Sequence, residues 1–153
     1  MNRRTTAALM ILAAAALLAA GTGRVAADDS SIMSTDALGH ATGAEIYGRI
    51  CQGCHMPGAQ GAVGAGHYPK LAGDPALVAW QYVALTVLNG KAGMPAFGLP
   101  PDESVEIRAV HLSDAQVADV VNYVRSHFGN HYKASVTSQQ VAALPHPGPS
   151  SAR

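Results

Sequence analysis

The 153-residue sequence predicts a small all-α domain whose helices wrap around one bound group. Three segments begin with helix-capping residues, and no stretch shows the alternating apolar pattern of a β-strand. The predicted domain, residues 41–129, has few aromatic residues and many glycines, so it can bury little apolar surface. Chains of this kind usually need a covalent cross-link, a metal or a large cofactor to remain folded.

The N-terminal residues 1–27 have the three parts of a secretory signal peptide. Arg3 and Arg4 form a positive start, residues 5–20 are uncharged and mainly Ala and Leu, and residues 25–27 supply small side chains for cleavage. An uncleaved membrane anchor is the alternative, but the apolar run is shorter than the ~20 residues that a spanning helix needs. We therefore expect export to a bacterial periplasm and a mature form that does not span the membrane.

The first part of the mature chain is predicted to hold one helix between irregular segments. Residues 28–40 are polar and small, and are expected to form a flexible leader. Thr42 and Glu45 match a capping box, which predicts a helix that runs to about Cys51. Residues 56–73 are rich in glycine and are expected to be loop.

The second helix is predicted to begin at Asp74 and Pro75, with Asp74 as the cap and Pro75 in the first helical position. The apolar run of residues 76–88 is expected to be largely buried, and Asn89-Gly90 ends it. Residues 91–112 contain several glycines and prolines, so they are expected to be irregular.

The third helix is predicted to start at Ser113, where Gln116 completes another capping box. An apolar stripe follows at helical spacing and indicates one buried face: Val117, Val120, Val121, Val124 and Phe128. Gly129 is expected to end this helix. The proline-containing residues 130–153 are expected to form a mobile tail.

The two cysteines lie within one short motif, Cys51-Gln52-Gly53-Cys54-His55. Two thiols three positions apart, followed directly by His, are typical of covalent attachment of c-type haem. On a helical turn, Cys51 and Cys54 can each add to one vinyl group, and His55 is then held under the iron as an axial ligand. We therefore predict one covalent haem c, bound by Cys51, Cys54 and His55.

Three other readings of the cysteine pair are open. A redox dithiol of the thioredoxin type is expected in a βαβ setting, which the sequence does not show. A zinc site needs a fourth ligand and usually a second paired motif. A structural disulfide between Cys51 and Cys54 would close a loop too short to stabilise much.

The second axial ligand can be sought among the five methionines. Four of them are poorly placed, since they lie in the signal peptide, in the leader or beside His55: Met1, Met10, Met33 and Met56. Met94 remains, on a loop whose neighbouring glycines and proline allow a sharp turn. The alternative for Met94 is an ordinary gap-filling role in the core, and His67 and His111 are rival ligands.

Further motifs accompany the haem motif along residues 40–129: Tyr68-Pro69-Lys70-Leu71, Leu88-Asn89-Gly90 leading to Met94-Pro95, Leu112-Ser113-Asp114, and Val121-Asn122-Tyr123-Val124. With these motifs the chain resembles the class I cytochromes c, small bacterial proteins with one haem. In that family a proline carbonyl accepts a hydrogen bond from the axial His, and the matching position is Pro69. Family members also cross their first and last helices closely, at positions that match Gly43 and Tyr123.

The resemblance implies an electron-transfer protein rather than an enzyme. It would carry single electrons through a haem ligated by His55 and Met94, from a periplasmic dehydrogenase to a terminal oxidase or another respiratory acceptor. The long loop of residues 99–112 and the C-terminal tail resemble cytochromes that serve periplasmic dehydrogenases of sugars, alcohols or heterocycles.

Two other functions are open, and one class of partner is not expected. The chain could be an obligate haem subunit of a dehydrogenase complex, or a haem enzyme or gas-binding protein with an open iron site. Ten basic and ten acidic residues give a formal net charge of zero. This argues against a nucleic-acid partner, which requires a basic face.

Overall fold

The computed structural model describes residues 38–64, 66–99 and 110–148, all within one compact unit, Met33–Arg153. This part of the chain is mostly helical and is compatible with the predicted small helical domain. Several predicted segments lie outside the described residues, wholly or in part: the signal peptide (1–27), most of the leader (28–37), the centre of the long loop (100–109) and the end of the tail (149–153).

The first helical run carries both cysteines and His55. At its start the predicted capping box is confirmed: the Glu45 N–H donates to the Thr42 hydroxyl at 3.3 Å, and the Thr42 N–H donates to the Glu45 carboxylate at 2.8 Å. The run contains a π-helical turn of the kind often found at functional sites, and it continues beyond its predicted end at Cys51 to His55. It has three consecutive pieces: helix α1 (Gly43–Ile46), the π-helical turn (Tyr47–Cys51) and helix α2 (Gln52–His55).

The glycine-rich loop after α2 contains a small antiparallel sheet that the sequence did not predict. Strand β1 (Ala62–Val63) pairs with strand β2 (His67–Tyr68), with Ala62 opposite Tyr68. A strand of two residues is too short to show an apolar alternation, so the pattern carried no signal for it. The predicted all-α fold is corrected to a mostly helical fold with one two-stranded sheet.

The second predicted helix is divided into two pieces. A 3₁₀ helix (Pro75–Val78) comes first, and its predicted cap is confirmed, since the Asp74 carboxylate accepts from the Ala76 N–H at 2.9 Å. Ala79, with a ψ of 82°, separates it from helix α3 (Trp80–Asn89). The predicted single helix is therefore interrupted at Ala79.

Helix α4 (Asp114–Ser126) begins as predicted. The Ser113 hydroxyl accepts from the Gln116 N–H at 3.4 Å, and the Gln116 side chain accepts from the Ser113 N–H at 2.8 Å. Four residues of the predicted apolar stripe are buried on it: Val117, Val120, Val121 and Val124. The helix stops before the predicted Gly129, and Phe128 lies beyond its end with a φ of +57°.

Helix α1 crosses α4 at Gly43. A Cβ placed there would overlap the carbonyl oxygen of Asp119 and would lie 2.9 Å from the Tyr123 Cβ. Only a residue without a side chain permits this approach of the two backbones. The close crossing expected at Gly43 and Tyr123 is thus confirmed, and the Tyr47 ring adds an aromatic contact 5.7 Å from the Tyr123 ring.

Residues 130–148 fold back onto α4, where the sequence predicted the beginning of a mobile tail. They contain helix α5 (Ser138–Ala142), and Val136 and Val141 are buried in the core. The Asn122 side chain on α4 holds this segment, since it donates to the Val136 carbonyl and accepts from the Val136 N–H, both at 2.8 Å. Val136 and Val141 make no periodic pattern, but Thr137 and Gln140 form a capping box at the start of α5, a local signal that the prediction of a tail overlooked.

Candidate functional site

A cavity lies between the first helical run, the 3₁₀ helix, α3 and α4. Its volume is about 150 Å³, and it opens to solvent on one side. Apolar side chains from these elements form most of its wall: Leu71, Leu77, Val83, Val87, Val120, Val121 and Val124. The apolar face of α4 that the sequence predicted therefore serves both the core and this cavity.

His55, the last residue of α2, lines the cavity and is buried, with 8% of its surface exposed. Its Nδ1 lies 2.9 Å from the carbonyl oxygen of Pro69, which also lines the cavity. A carbonyl can only accept, so Nδ1 donates in this contact, and Nε2 is the ring nitrogen left to bind a metal. This is the arrangement that a metal-ligating histidine needs, with one nitrogen fixed by a carbonyl and the other able to bind.

The two cysteines have different surroundings. Cys51, in the π-helical turn, is half-buried and lines the cavity, and burial raises the pKa of its thiol to about 11. Cys54, in α2, is exposed and is not among the cavity-lining residues. No disulfide joins Cys51 and Cys54. Because they lie on one continuous helical run directly before His55, a group attached to both would be held next to that imidazole.

Met94 lines the same cavity from a tight turn after α3. The Lys91 N–H donates to the Met94 carbonyl at 3.2 Å, and the Met94 N–H donates to the Lys91 carbonyl at 2.9 Å. Gly90 is essential to this turn, because its φ is +70° and a Cβ there would lie 2.5 Å from the Met94 carbonyl oxygen. The backbone around Met94 is thus well defined, and its thioether side chain is half-buried.

The rival ligands lie elsewhere. His67 is exposed on β2, and His111 is held by the Leu99 carbonyl, 2.7 Å from its Nδ1. Neither residue is part of the cavity wall, and nor is Met56. Of the axial-ligand candidates within the described residues, His55 and Met94 are the two that share the cavity.

The sequence did not indicate two side chains that bind backbone carbonyls of the cavity wall in residues 71–78. The Asn130 side chain donates to the Leu71 carbonyl at 2.9 Å, and Arg125 Nε donates to the Leu77 carbonyl at 2.9 Å. No sequence motif marks these contacts, but the position of Arg125 is unusual. It lies four residues after Val121 on α4, next to the apolar stripe, where a charged residue is unexpected.

Comparison with known proteins identifies the family. Residues 39–124, more than half of the chain, match the protein family described as cytochrome c oxidase, cbb3-type, subunit III. The chain belongs to the cytochrome c family. As a cytochrome c, it carries a covalently bound haem c, and Cys51 and Cys54 fit the attachment motif.

Individual relatives are cytochrome subunits of dehydrogenases. The gluconate 2-dehydrogenase cytochrome c subunit of Pantoea cypripedii is 37% identical over 115 residues, which is 67% of this chain and 24% of the relative. The cytochrome c subunit of the quinone-type alcohol dehydrogenase of Gluconobacter oxydans (strain 621H) is 32% identical over 123 residues, 75% of this chain and 24% of the relative. The fructose dehydrogenase cytochrome subunit of Gluconobacter japonicus is 34% identical over 126 residues, with the same coverage. The chain thus spans about a quarter of the length of these relatives.

The residues of the cavity fit haem c. The wall is mainly apolar, as the macrocycle requires, and its polar ligand atoms are few. His55 offers an imidazole with Nδ1 already engaged, Met94 offers a thioether, and the cysteine pair lies on the helical run that carries His55. Among the described residues, no helix has the length and apolar character needed to cross a membrane.

Proposed function

We propose that Cys51 and Cys54 form the two thioether bonds to haem c, and that His55 and Met94 are the axial ligands of its iron. The observation that carries this assignment is the shared cavity of His55 and Met94, together with the hydrogen bond from His55 Nδ1 to Pro69. Pro69 thereby orients the imidazole and increases its basicity as a ligand.

The chain's own residues would then hold the group in a mainly apolar site. When bound, haem c supplies a one-electron couple whose potential is raised by methionine ligation. Ligation by both His55 and Met94 would leave no position on the iron for a substrate. The valines and leucines of the wall would keep water away from most of the group.

The role proposed for the chain is the transfer of single electrons from a periplasmic dehydrogenase to a respiratory acceptor such as a terminal oxidase. The relatives support the first half of this route, since their names describe cytochrome subunits of gluconate, alcohol and fructose dehydrogenases. Export by the N-terminal signal of residues 1–27 is part of the same proposal.

A second candidate role is that of an obligate haem subunit in such a complex, and the subunit names of the relatives favour it. The two roles differ in the lifetime of the association. Size-exclusion chromatography of a tagged chain expressed in the native host distinguishes the two roles. A dehydrogenase that still co-elutes with the chain after dilution indicates a subunit. A monomeric cytochrome peak indicates a free carrier.

The ligand assignment is tested with Met94→Ala and the matched control Met56→Ala. Met56 is close to His55 in sequence but lies outside the cavity wall. We expect the weak long-wavelength absorption band of ferric methionine ligation in the wild-type protein and in Met56→Ala, and its loss in Met94→Ala. Carbon monoxide should alter the ferrous spectrum of Met94→Ala alone; carbon monoxide binding by the wild type would instead support the open-site reading.

A further inference from the structure

Arg125 is a buried cation behind the wall of the cavity. Only 3% of its surface is exposed, and its guanidinium is held by two backbone carbonyls. Nε donates to the Leu77 carbonyl at 2.9 Å, and Nη1 donates to the Ala134 carbonyl at 2.6 Å. The Tyr132 ring covers the group, with its centroid 5.7 Å from the guanidinium carbon.

This charge has no acidic partner in residues 38–64, 66–99 and 110–148. The ion pairs found in these residues are Glu45 with Arg49 and Asp114 with His146. Buried charges in proteins are usually paired, because desolvation of an unpaired charge is costly. Burial lowers the pKa of the Arg125 guanidinium, but a guanidinium keeps its proton in proteins at any ordinary pH.

The cation lies directly against residues that line the cavity. Leu77, whose carbonyl it binds, is one of them, and so are Val121, one turn earlier on α4, and Val124, directly before Arg125. An apolar wall screens a charge poorly, so the field of a buried guanidinium reaches the cavity with little loss.

We infer that Arg125 is an electrostatic positioning residue, which favours the reduced state of the cofactor in the cavity and raises its reduction potential. The inference rests on the proposed function, since it requires haem in this cavity. Uptake of one electron lowers the charge of the cofactor by one unit, and a fixed positive charge nearby therefore favours that state. No proton or further reactant takes part.

The wild type and Arg125→Gln form the decisive pair, with Arg125→Lys as the conservative variant. Glutamine can still donate to the Leu77 carbonyl but has no charge, whereas lysine keeps a charge only while its buried ammonium stays protonated. Across one layer of side chains, at an effective dielectric constant of ~20, a unit charge shifts a one-electron equilibrium by about tenfold. We therefore expect the ferrous-to-ferric ratio at fixed applied potential to fall about tenfold in Arg125→Gln relative to the wild type, which corresponds to about 59 mV in midpoint potential.

Lys133→Gln is the matched control, because it removes the same charge from an exposed position. In this variant the ferrous-to-ferric ratio at fixed applied potential should change less than about twofold. That change should vanish at high salt, since solvent and ions screen surface charges. The shift in Arg125→Gln should persist at high salt. Arg125→Met supplies a second uncharged side chain, since apolar replacement of a buried charge is often tolerated.

The experiment uses the full haem-loaded chain in spectroelectrochemical titration, after absorption spectra have established the same axial ligands in every variant. Equal midpoints in the wild type and in both uncharged variants would overturn the inference, as would loss of haem from both uncharged variants with retention in Arg125→Lys. Failure of the proposed function would look different, because the wild type itself would then lack covalent haem or methionine ligation.

Discussion

Gly43→Ala tests the helix crossing on which the domain is built. The added Cβ would lie 2.6 Å from the Asp119 carbonyl carbon and 2.9 Å from the Tyr123 Cβ, whereas nonbonded carbons are best separated by about 3.5–4.0 Å. Helices α1 and α4 must therefore move apart by about 1 Å, which weakens every contact along the crossing.

The expected loss of stability follows from that displacement. Overpacking of this kind costs about 1–3 kcal/mol, and the higher helix propensity of alanine returns about 0.5–1 kcal/mol of it. A net loss of about 1–2 kcal/mol lowers the melting temperature of a domain of this size by roughly 4–16 °C.

Gly48→Ala is the matched control for this substitution. Gly48 lies in the same helical run, and nothing lies within 4 Å of a Cβ added there. We expect its melting temperature to be unchanged or a few degrees higher, as measured by circular dichroism on the haem-loaded protein. If Gly43→Ala melts at or above the wild-type temperature while Gly48→Ala behaves as expected, the close crossing is wrong.

Three further changes test other parts of the structure. Val141→Ala should cost about 2 kcal/mol in chemical denaturation, because Val141 is fully buried in the C-terminal segment, whereas Val63→Ala at an 85%-exposed site should cost less than about 0.5 kcal/mol; equal effects would contradict the packing of residues 130–148. The hydrogen bond to Asp114 raises the pKa of His146 above 6.5, so this pair stabilises the folded state below about pH 6.5 and the gain is lost as pH rises through the raised pKa. His146→Gln should therefore melt lower than the wild type at pH 5 and equally at pH 9, and a constant difference across this range would refute the assignment. Tyr47→Phe should cost about 0.5–1.5 kcal/mol in urea unfolding, because it removes the hydrogen bond from the Tyr47 hydroxyl to the Met56 carbonyl; a neutral effect would show that this bond contributes nothing.

Local chemistry made the helix starts predictable. Thr42 with Glu45, Asp74 with Pro75, and Ser113 with Gln116 each encode a cap within four residues, and the structure has all three. Features set by distant contacts were not predictable in this way. Val136 and Val141 show no periodicity, and their burial depends on Asn122 and neighbouring groups of α4.

The residues of the candidate site also differ in whether local sequence made them predictable. The cysteine motif is local, so it indicated haem c and His55 directly from the sequence. Met94 could be distinguished from His67 and His111 only by elimination and by resemblance, because loop residues have no fixed spacing from the motif. The structure adds that Met94 lies in the wall of the cavity that His55 lines. Arg125 belongs to none of the sequence motifs, and its hydrogen bonds to Leu77 and Ala134 could be identified only from the structure.

Covalent haem attachment at Cys51 and Cys54 is the central claim, and the intact mass of the denatured protein tests it most directly. Thioether bonds survive denaturation, whereas haem held only by His55 and Met94 would be released. The account predicts the mass of the chain plus one haem when the protein is produced with the haem-attachment machinery, and the mass of the bare chain for Cys51→Ala combined with Cys54→Ala. A bare-chain mass for the wild type, or haem retained by the double variant, would contradict it.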